Sequence, residues 1–124
     1  MDATKNSLIV ERVLSTLTNI IARETSLDYS ALILDDILLK LKEKHTFLKY
    51  INIRKNKCLD KSDLVVVDKN IDLINQKDVG KAIKEIIMDV NKIHGLENKF
   101  FMPLFEGHIG RSFCLKIKNA GVDI

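Results

Sequence analysis

The sequence predicts a predominantly helical α+β domain in which a small antiparallel sheet packs on amphipathic helices. Apolar residues recur every three or four positions over long stretches, two short central segments have strand-like patterns, and no linker divides the 124 residues. The predicted order is α-α-β-β-α-α, within a single domain spanning residues 1–124. A hydrophobic content of 46% and a charged content of 30% exclude a disordered chain.

Two amphipathic helices are predicted at the start of the chain. The first runs from Leu8 to Arg23, with an apolar stripe on one face and Arg12 and Thr16 among the polar residues of the other. The polar residues between Glu24 and Asp28 suit a helix N-cap, and a second helix follows from about Tyr29 to Lys44. This second segment is so dense in leucine and isoleucine that we expect it to be the most buried helix.

A β-hairpin is predicted in the middle of the chain. Apolar and polar residues alternate from Phe47 to Arg54, which favours a strand, and Leu64 to Val67 is a β-branched run that can pair with it. The polar segment Lys55 to Ser62 is the intervening loop. Ile71 to Ile74 is either a third short strand or an apolar connector. A sheet of two or three strands is stable only when helices or a partner chain pack against it, so we expect a homodimer or a larger assembly.

Asp78 to His94 has the clearest helical pattern in the chain. Asn75, three residues before Asp78, offers a cap at its start, and Gly95 follows its end, where glycine is the usual terminator.

A final helical region is predicted from Phe100 onward. Pro103 is acceptable in its first turn and Gly121 is a stop. Because glycine weakens a helix, Gly107 and Gly110 indicate a kink between two helical pieces.

Residues 40–61 are the most basic part of the sequence. Eight basic residues against two acidic ones give this segment a charge of +6, within a whole-chain charge of +3. Phe47 and Tyr50 lie among them, so the segment is a candidate for tracking a phosphate backbone and stacking bases. The candidate nucleic-acid-binding residues are Lys49, Arg54, Lys55, Lys57, Lys61 and Arg111. Alternatively, these lysines protect an exposed edge strand from aggregation.

The tetrapeptide from Gly107 to Gly110 is a GxxG sequence. It resembles the loop of the K-homology RNA-binding module in these four residues, although His108 and Ile109 stand where that loop usually has basic residues. Two interpretations stay open: a binding loop assisted by Arg111, or a helix kink with Ile109 in the core.

No residue spacing in the sequence indicates catalysis or metal binding. The three histidines and two cysteines, Cys58 and Cys114, do not have the spacing of a zinc site or a nucleophile pair. Asp35 and Asp36 point about 100° apart on a helix, so they do not form a dyad, whereas Asp68 and Asp72 are a possible pair of carboxylates. We therefore predict no enzymatic activity, no metal and no cofactor.

The sequence predicts a cytoplasmic protein without a membrane-spanning segment. Its longest apolar runs are far shorter than the ~20 residues that a span requires. Two cysteines without CxxC spacing suit a reducing compartment.

Most of the chain resembles archaeal signal output domains of the Nitrosopumilus type. The resemblance lies in aliphatic spacing and motif positions, namely Leu38-x-x-Leu41-x-x-Lys44, Phe47 to Ile53, Val79-Gly80-x-Ala82-Ile83, Phe101-x-x-Leu104-Phe105-x-x-x-Ile109-Gly110 and Leu115-x-x-Lys118-x-x-Gly121-Val122. It implies an α+β module of signal-transduction proteins with no established catalytic residues. Glu106-Gly107-His108 departs from the acidic and arginine residues typical of that region.

The function predicted from these observations is a non-catalytic signalling or interaction module. It would act through self-association, by an apolar helix face or a sheet edge, or by binding a signalling protein. One alternative is a small nucleic-acid-binding protein that uses the basic residues 40–61. A further alternative is a small-molecule sensor with a pocket between helices.

Overall fold

The computed structural model describes residues 5–53 and 65–94, together with residues 107, 109, 110, 113, 115 and 118. It confirms a mostly helical α+β fold with a small antiparallel sheet. The elements are helix α1 (Asn6–Glu24), helix α2 (Leu27–Leu41), strand β1 (Ile51–Ile53), strand β2 (Val65–Val67) and helix α3 (Gln76–His94). Two short 3₁₀ helices, Thr46–Tyr50 and Lys69–Leu73, precede β1 and follow β2.

Helix α1 lies at the centre of the fold. It packs against α2, α3, β2 and the second 3₁₀ helix, and its apolar stripe includes the fully buried Leu14 and Leu17. Two threonines outside that stripe, Thr16 and Thr18, are also buried. Their hydroxyls donate to the carbonyls of Arg12 and Ser15 at 2.8 and 2.7 Å, so both are satisfied within their own helix. The prediction that Thr16 lies on a polar outer face is therefore wrong.

Helix α2 starts at a capped residue and is less buried than predicted. The Ser26 hydroxyl accepts a hydrogen bond from the Tyr29 N–H at 3.1 Å, which confirms the predicted cap region. Ala31, Leu34 and Ile37 are fully buried, but further leucines of the wide apolar arc face outward. The expectation that this is the most buried helix is wrong, because α1 occupies the centre and α2 covers only one side of it.

The predicted first strand is mostly a 3₁₀ helix. Phe47 and Leu48 are neighbours and both are buried, whereas successive side chains of a strand point to opposite faces. Among its described residues, Ile51–Ile53 form the extended part, which pairs antiparallel with β2 in the register Ile51↔Val67 and Ile53↔Val65. The predicted hairpin pairing is confirmed with shorter strands, and the predicted loop Lys55 to Ser62 lies outside the described residues.

The segment from Ile71 to Ile74 is a connector, so the alternative of a third strand is wrong. Asp68 caps the second 3₁₀ helix by accepting from the Asn70 N–H at 2.9 Å. The Asn6 side chain then donates to the carbonyls of Ile71 and Ile74 at 2.9 and 2.7 Å. These hydrogen bonds hold the connector against the start of α1.

Helix α3 begins two residues earlier than predicted. The Asn75 side chain accepts from the Lys77 N–H at 2.9 Å, so Asn75 caps a helix whose first residue is Gln76. The end at His94 agrees with the prediction.

The described C-terminal positions confirm an interruption at the second glycine of the GxxG sequence. Ile109 and Phe113 are helical, whereas Gly110 between them has φ +93°, a left-handed conformation that favours glycine. Ile109 is buried, as the kink interpretation requires. Pro103 and Gly121, predicted to delimit this region, lie outside the described residues.

Arg12 of α1 attaches this C-terminal segment. Its Nη2 donates to the Ile109 carbonyl at 3.2 Å, and its guanidinium lies 4.7 Å from the centroid of the Phe113 ring. Phe113 is itself buried beside α1.

Candidate functional site

An exposed apolar stripe runs along the outside of α2. Tyr29, Leu32 and Leu39 are 44%, 57% and 58% exposed. Their spacing of three and seven residues places all three on one side of the helix. We call this stripe, together with Asp36 and Lys40 beside it, the α2 face.

The α2 face also contains one exposed ion pair. The Lys40 ammonium lies 3.5 Å from the Asp36 carboxylate, one helical turn away. Exposed pairs of this kind contribute only about 0.3–0.5 kcal/mol to stability. The opposite charges of this pair cancel, so it adds no net charge beside the leucines of the α2 face.

A groove of about 270 Å³ borders the α2 face. Leu39 and Lys42 of α2 form one wall, while Lys49 and Asn52 stand on the other. The Lys49 ammonium lies 5.4 Å from the Tyr50 ring centroid. Leu39 thus belongs both to the apolar stripe and to the rim of a concave surface.

A second cluster joins the end of α2 to the middle of α3. The Glu85 carboxylate accepts a hydrogen bond from the Lys44 ammonium at 2.6 Å and a second from the His45 ring. Since an ionised carboxylate only accepts, His45 carries a proton on Nε2. The His45 side chain is 12% exposed, and its ring packs against Phe47 with centroids 5.7 Å apart.

The two donors change the acidity of Glu85. Its pKa is held below the ordinary value of 4.5, chiefly by the hydrogen bond from Lys44 and then by that from His45. A carboxylate whose folded-state pKa is lowered stabilises the fold in full above pH 4.5. That stabilisation is lost as the pH falls through the lowered pKa.

Replacing Glu85→Gln should therefore destabilise the protein at neutral pH and much less in acid. We expect the difference in unfolding free energy between the two proteins to shrink as the pH falls below 4.5. Urea denaturation at a series of pH values measures it. Glu11→Gln is the control, because Glu11 is an exposed carboxylate of α1 outside the α2 face and its replacement should change stability by less than about 0.5 kcal/mol. A Glu85→Gln deficit that is constant with pH would contradict the assignment.

The same cluster lines a second groove, of about 260 Å³. Lys81, Lys84 and Met88 of α3 lie beside Lys44, His45 and Glu85. The lysines of α3 recur at positions 77, 81, 84 and 92. This stripe was not predicted, because its charge is not concentrated along the chain; helical spacing of the lysines is the signal in the sequence that indicates it.

Two basic residues of the segment 40–61 have acidic partners. Lys40 pairs with Asp36, and Lys44, which follows α2, pairs with Glu85 of α3. Phe47 is buried, so the idea that it stacks on bases is wrong. Lys49 is exposed on the first 3₁₀ helix. The other candidate nucleic-acid-binding residues, Arg54, Lys55, Lys57, Lys61 and Arg111, lie outside the described residues.

The carboxylates considered for acid–base chemistry have structural partners. Asp68 caps the second 3₁₀ helix, while Asp72 accepts from the Ser7 N–H and hydroxyl at 2.8 and 3.2 Å. Within the part of the chain that the structure describes, no three His, Cys, Asp or Glu side chains are grouped so that they could hold a metal ion. His108, Cys58 and Cys114 lie outside that part.

No helix among the described residues is both long and apolar enough to cross a bilayer. In comparisons with known proteins, no family model, curated protein or solved structure matched this chain. The resemblance to archaeal signal output domains stays a prediction.

Proposed function

We propose that this protein is a non-catalytic interaction module that self-associates through the α2 face. The exposure of Leu32 and Leu39 supports the proposal most directly. Both leucines are more than half exposed on a helix whose other side already supplies buried residues to the core. Clustered exposed apolar residues are typical of interaction sites, whereas single ones need no explanation.

The charges on the α2 face favour a second copy of the chain as the partner. A symmetric dimer uses the same surface twice, so that surface must complement itself. If two α2 helices pack antiparallel through the α2 face, with the axis at the level of residue 38 along each helix, Asp36 of each copy lies opposite Lys40 of the other. The same register brings the two Leu39 side chains together beside the axis, and Leu32 extends the contact by about two turns.

A helix face suits this role better than an edge of the sheet. Strands β1 and β2 are three residues long, so either edge offers a partner strand few backbone hydrogen bonds. Val66 is the exposed apolar residue of β2, and it stands opposite the exposed Asn52. The α2 face has the larger apolar surface.

Replacing Leu39→Lys should shift the protein from dimer to monomer. Burying a leucine is worth about 1.5–3 kcal/mol, and each copy contributes one, so we expect the dimer to weaken about a hundredfold or more. Sedimentation velocity or light scattering over a range of protein concentrations measures the shift.

Leu73→Lys is the matched control. Leu73 is 83% exposed but lies on the second 3₁₀ helix, away from the α2 face, so the change should leave self-association intact. A wild-type chain that stays monomeric at the highest concentration reached would refute the proposal. Equal weakening by both variants would also refute it.

A charge exchange tests the proposed register. Asp36→Lys or Lys40→Asp alone should weaken the dimer through like charges, whereas the double exchange should restore it. A double exchange that fails to restore the dimer would exclude this antiparallel arrangement, but it would not refute self-association.

The proposal extends to a signalling role in the cytoplasm, as the family resemblance and the cysteine usage suggest. The carboxylates of Asp36, Asp68, Asp72 and Glu85 and the His45 ring are engaged in caps, hydrogen bonds and ion pairs, which supports a binding role rather than catalysis.

A further inference from the structure

Helix α3 separates its charges by sign around its circumference. By the 100° rotation per residue of an α-helix, its four lysines fall within an arc of about 80°. Its three acidic residues fall on one flank of that arc, and its apolar residues other than Met88 face the core. We call the lysine side of α3, with Lys44 beside it, the lysine ridge; its residues are Lys44, Lys77, Lys81, Lys84 and Lys92.

The lysine ridge is accessible over most of its length. Lys77, Lys81 and Lys92 are exposed, and the Lys44 side chain is 67% exposed. From residue 77 to residue 92 the helix rises about 22 Å. The ridge is therefore a linear row of cations rather than a single anion pocket.

The acidic residue nearest the ridge has its own partners. Glu85 accepts hydrogen bonds from Lys44, itself a ridge residue, and from His45; both follow the end of α2. This ion pair offsets the charge of Lys44, so the lysines of α3 carry the charge of the ridge. On an ordinary solvated helix, Glu85 would pair with Lys81 one turn away. Here Lys44 and His45 bind the Glu85 carboxylate instead, and Lys81 lies on the rim of the groove.

We infer that the lysine ridge binds the phosphate backbone of double-stranded nucleic acid, without sequence preference. Duplex DNA presents one negative charge per about 1.7 Å of helix axis, so a row of cations meets phosphates in any register. The α3 lysines are point charges, whereas specific base contacts typically use bidentate side chains. Met88 is the exposed non-charged side chain of this stripe, and it offers no aromatic ring on which a single strand could stack.

This inference uses residues other than those of the α2 face, so each proposal can fail without the other. It also differs from the predicted interface at residues 40–61, with which the ridge shares only Lys44.

Fluorescence polarisation with a labelled mixed-sequence DNA duplex tests the inference on the full chain. Between about 50 and 200 mM salt, the wild-type affinity should fall steeply because phosphate contacts release counterions. The double variant Lys77→Gln/Lys81→Gln should bind about tenfold more weakly at the lower salt, and its logarithmic salt slope should decrease by about 1.8. Duplex RNA, in a parallel arm, should behave similarly.

The matched control is Lys5→Gln/Lys69→Gln, which removes the same charge from exposed positions outside the ridge. This variant should retain most of the affinity and the slope, and thermal melting checks that both variants fold. Equal loss in the two variants would overturn the inference, because binding would then depend on net charge alone. Absence of wild-type binding would overturn it, as would equally effective competition by polyglutamate, which would indicate an acidic protein partner instead.

Discussion

Replacing Leu17→Ala should lower the free energy of unfolding by about 3–5 kcal/mol, because a buried leucine loses its transfer free energy and leaves a cavity. Leu17 is fully buried in the middle of α1, which packs against α2, α3 and β2. Because these elements surround Leu17, we expect the neighbouring side chains to fill little of the cavity that alanine would leave. Urea denaturation at a fixed protein concentration measures the change.

Leu73→Ala is the control for that measurement. The same atoms are removed from an exposed side chain of the second 3₁₀ helix, so stability should change by less than about 0.5 kcal/mol. A loss below about 1 kcal/mol for Leu17→Ala would contradict the central position of α1.

Replacing Asn6→Ala should cost about 2 kcal/mol of unfolding free energy. The Asn6 amide is buried and donates to the carbonyls of Ile71 and Ile74, which lie 65 and 68 positions away in sequence. Alanine would remove both hydrogen bonds. The Ile71 carbonyl would keep the Ile74 N–H as a donor, whereas the Ile74 carbonyl would lose the Asn6 donor, and an unsatisfied buried group costs about 1–3 kcal/mol. Chemical denaturation measures the loss.

Ser7→Ala is the matched control for Asn6→Ala. It removes only the 3.2 Å hydrogen bond from the Ser7 hydroxyl to Asp72, while the backbone N–H of Ser7 still donates to the same carboxylate. We expect a loss of less than about 1 kcal/mol. If the two variants lost equal stability, the side chain of Asn6 would not be the main link between α1 and the connector.

The helices could be predicted from the sequence because apolar spacing is a local signal. Helix α3 is found within two residues of its predicted start and at its predicted end. The strand predicted from Phe47 is wrong over its first half, which is a 3₁₀ helix. The short alternation of apolar and polar residues does not show that Leu48 is buried together with Phe47. The 3₁₀ helix places the side chains of both Phe47 and Leu48 in the core, which a strand does not do for neighbouring residues.

The relative burial of the helices could not be predicted from their apolar content. Helix α2 has the denser run of leucines, yet Leu32 and Leu39 face outward. Which helix occupies the centre depends on how the elements pack around one another, and the width of an apolar arc does not determine that. The outward leucines are the basis of the proposed interaction surface.

The cluster around Glu85 depends on contacts between distant parts of the sequence. Glu85 contacts His45, which lies 40 positions away in sequence, so no short sequence motif indicates this pair. The lysine stripe of α3, by contrast, could have been found by applying helical spacing to charges as well as to apolar residues.

Thr16 of α1 lies one helical turn after Arg12, the residue that contacts the C-terminal segment through Ile109 and Phe113. Although Thr16 is buried, its hydroxyl donates to the Arg12 carbonyl of its own helix and needs no partner from another element. Water that reached this side of α1 would therefore leave the Thr16 hydroxyl hydrogen-bonded.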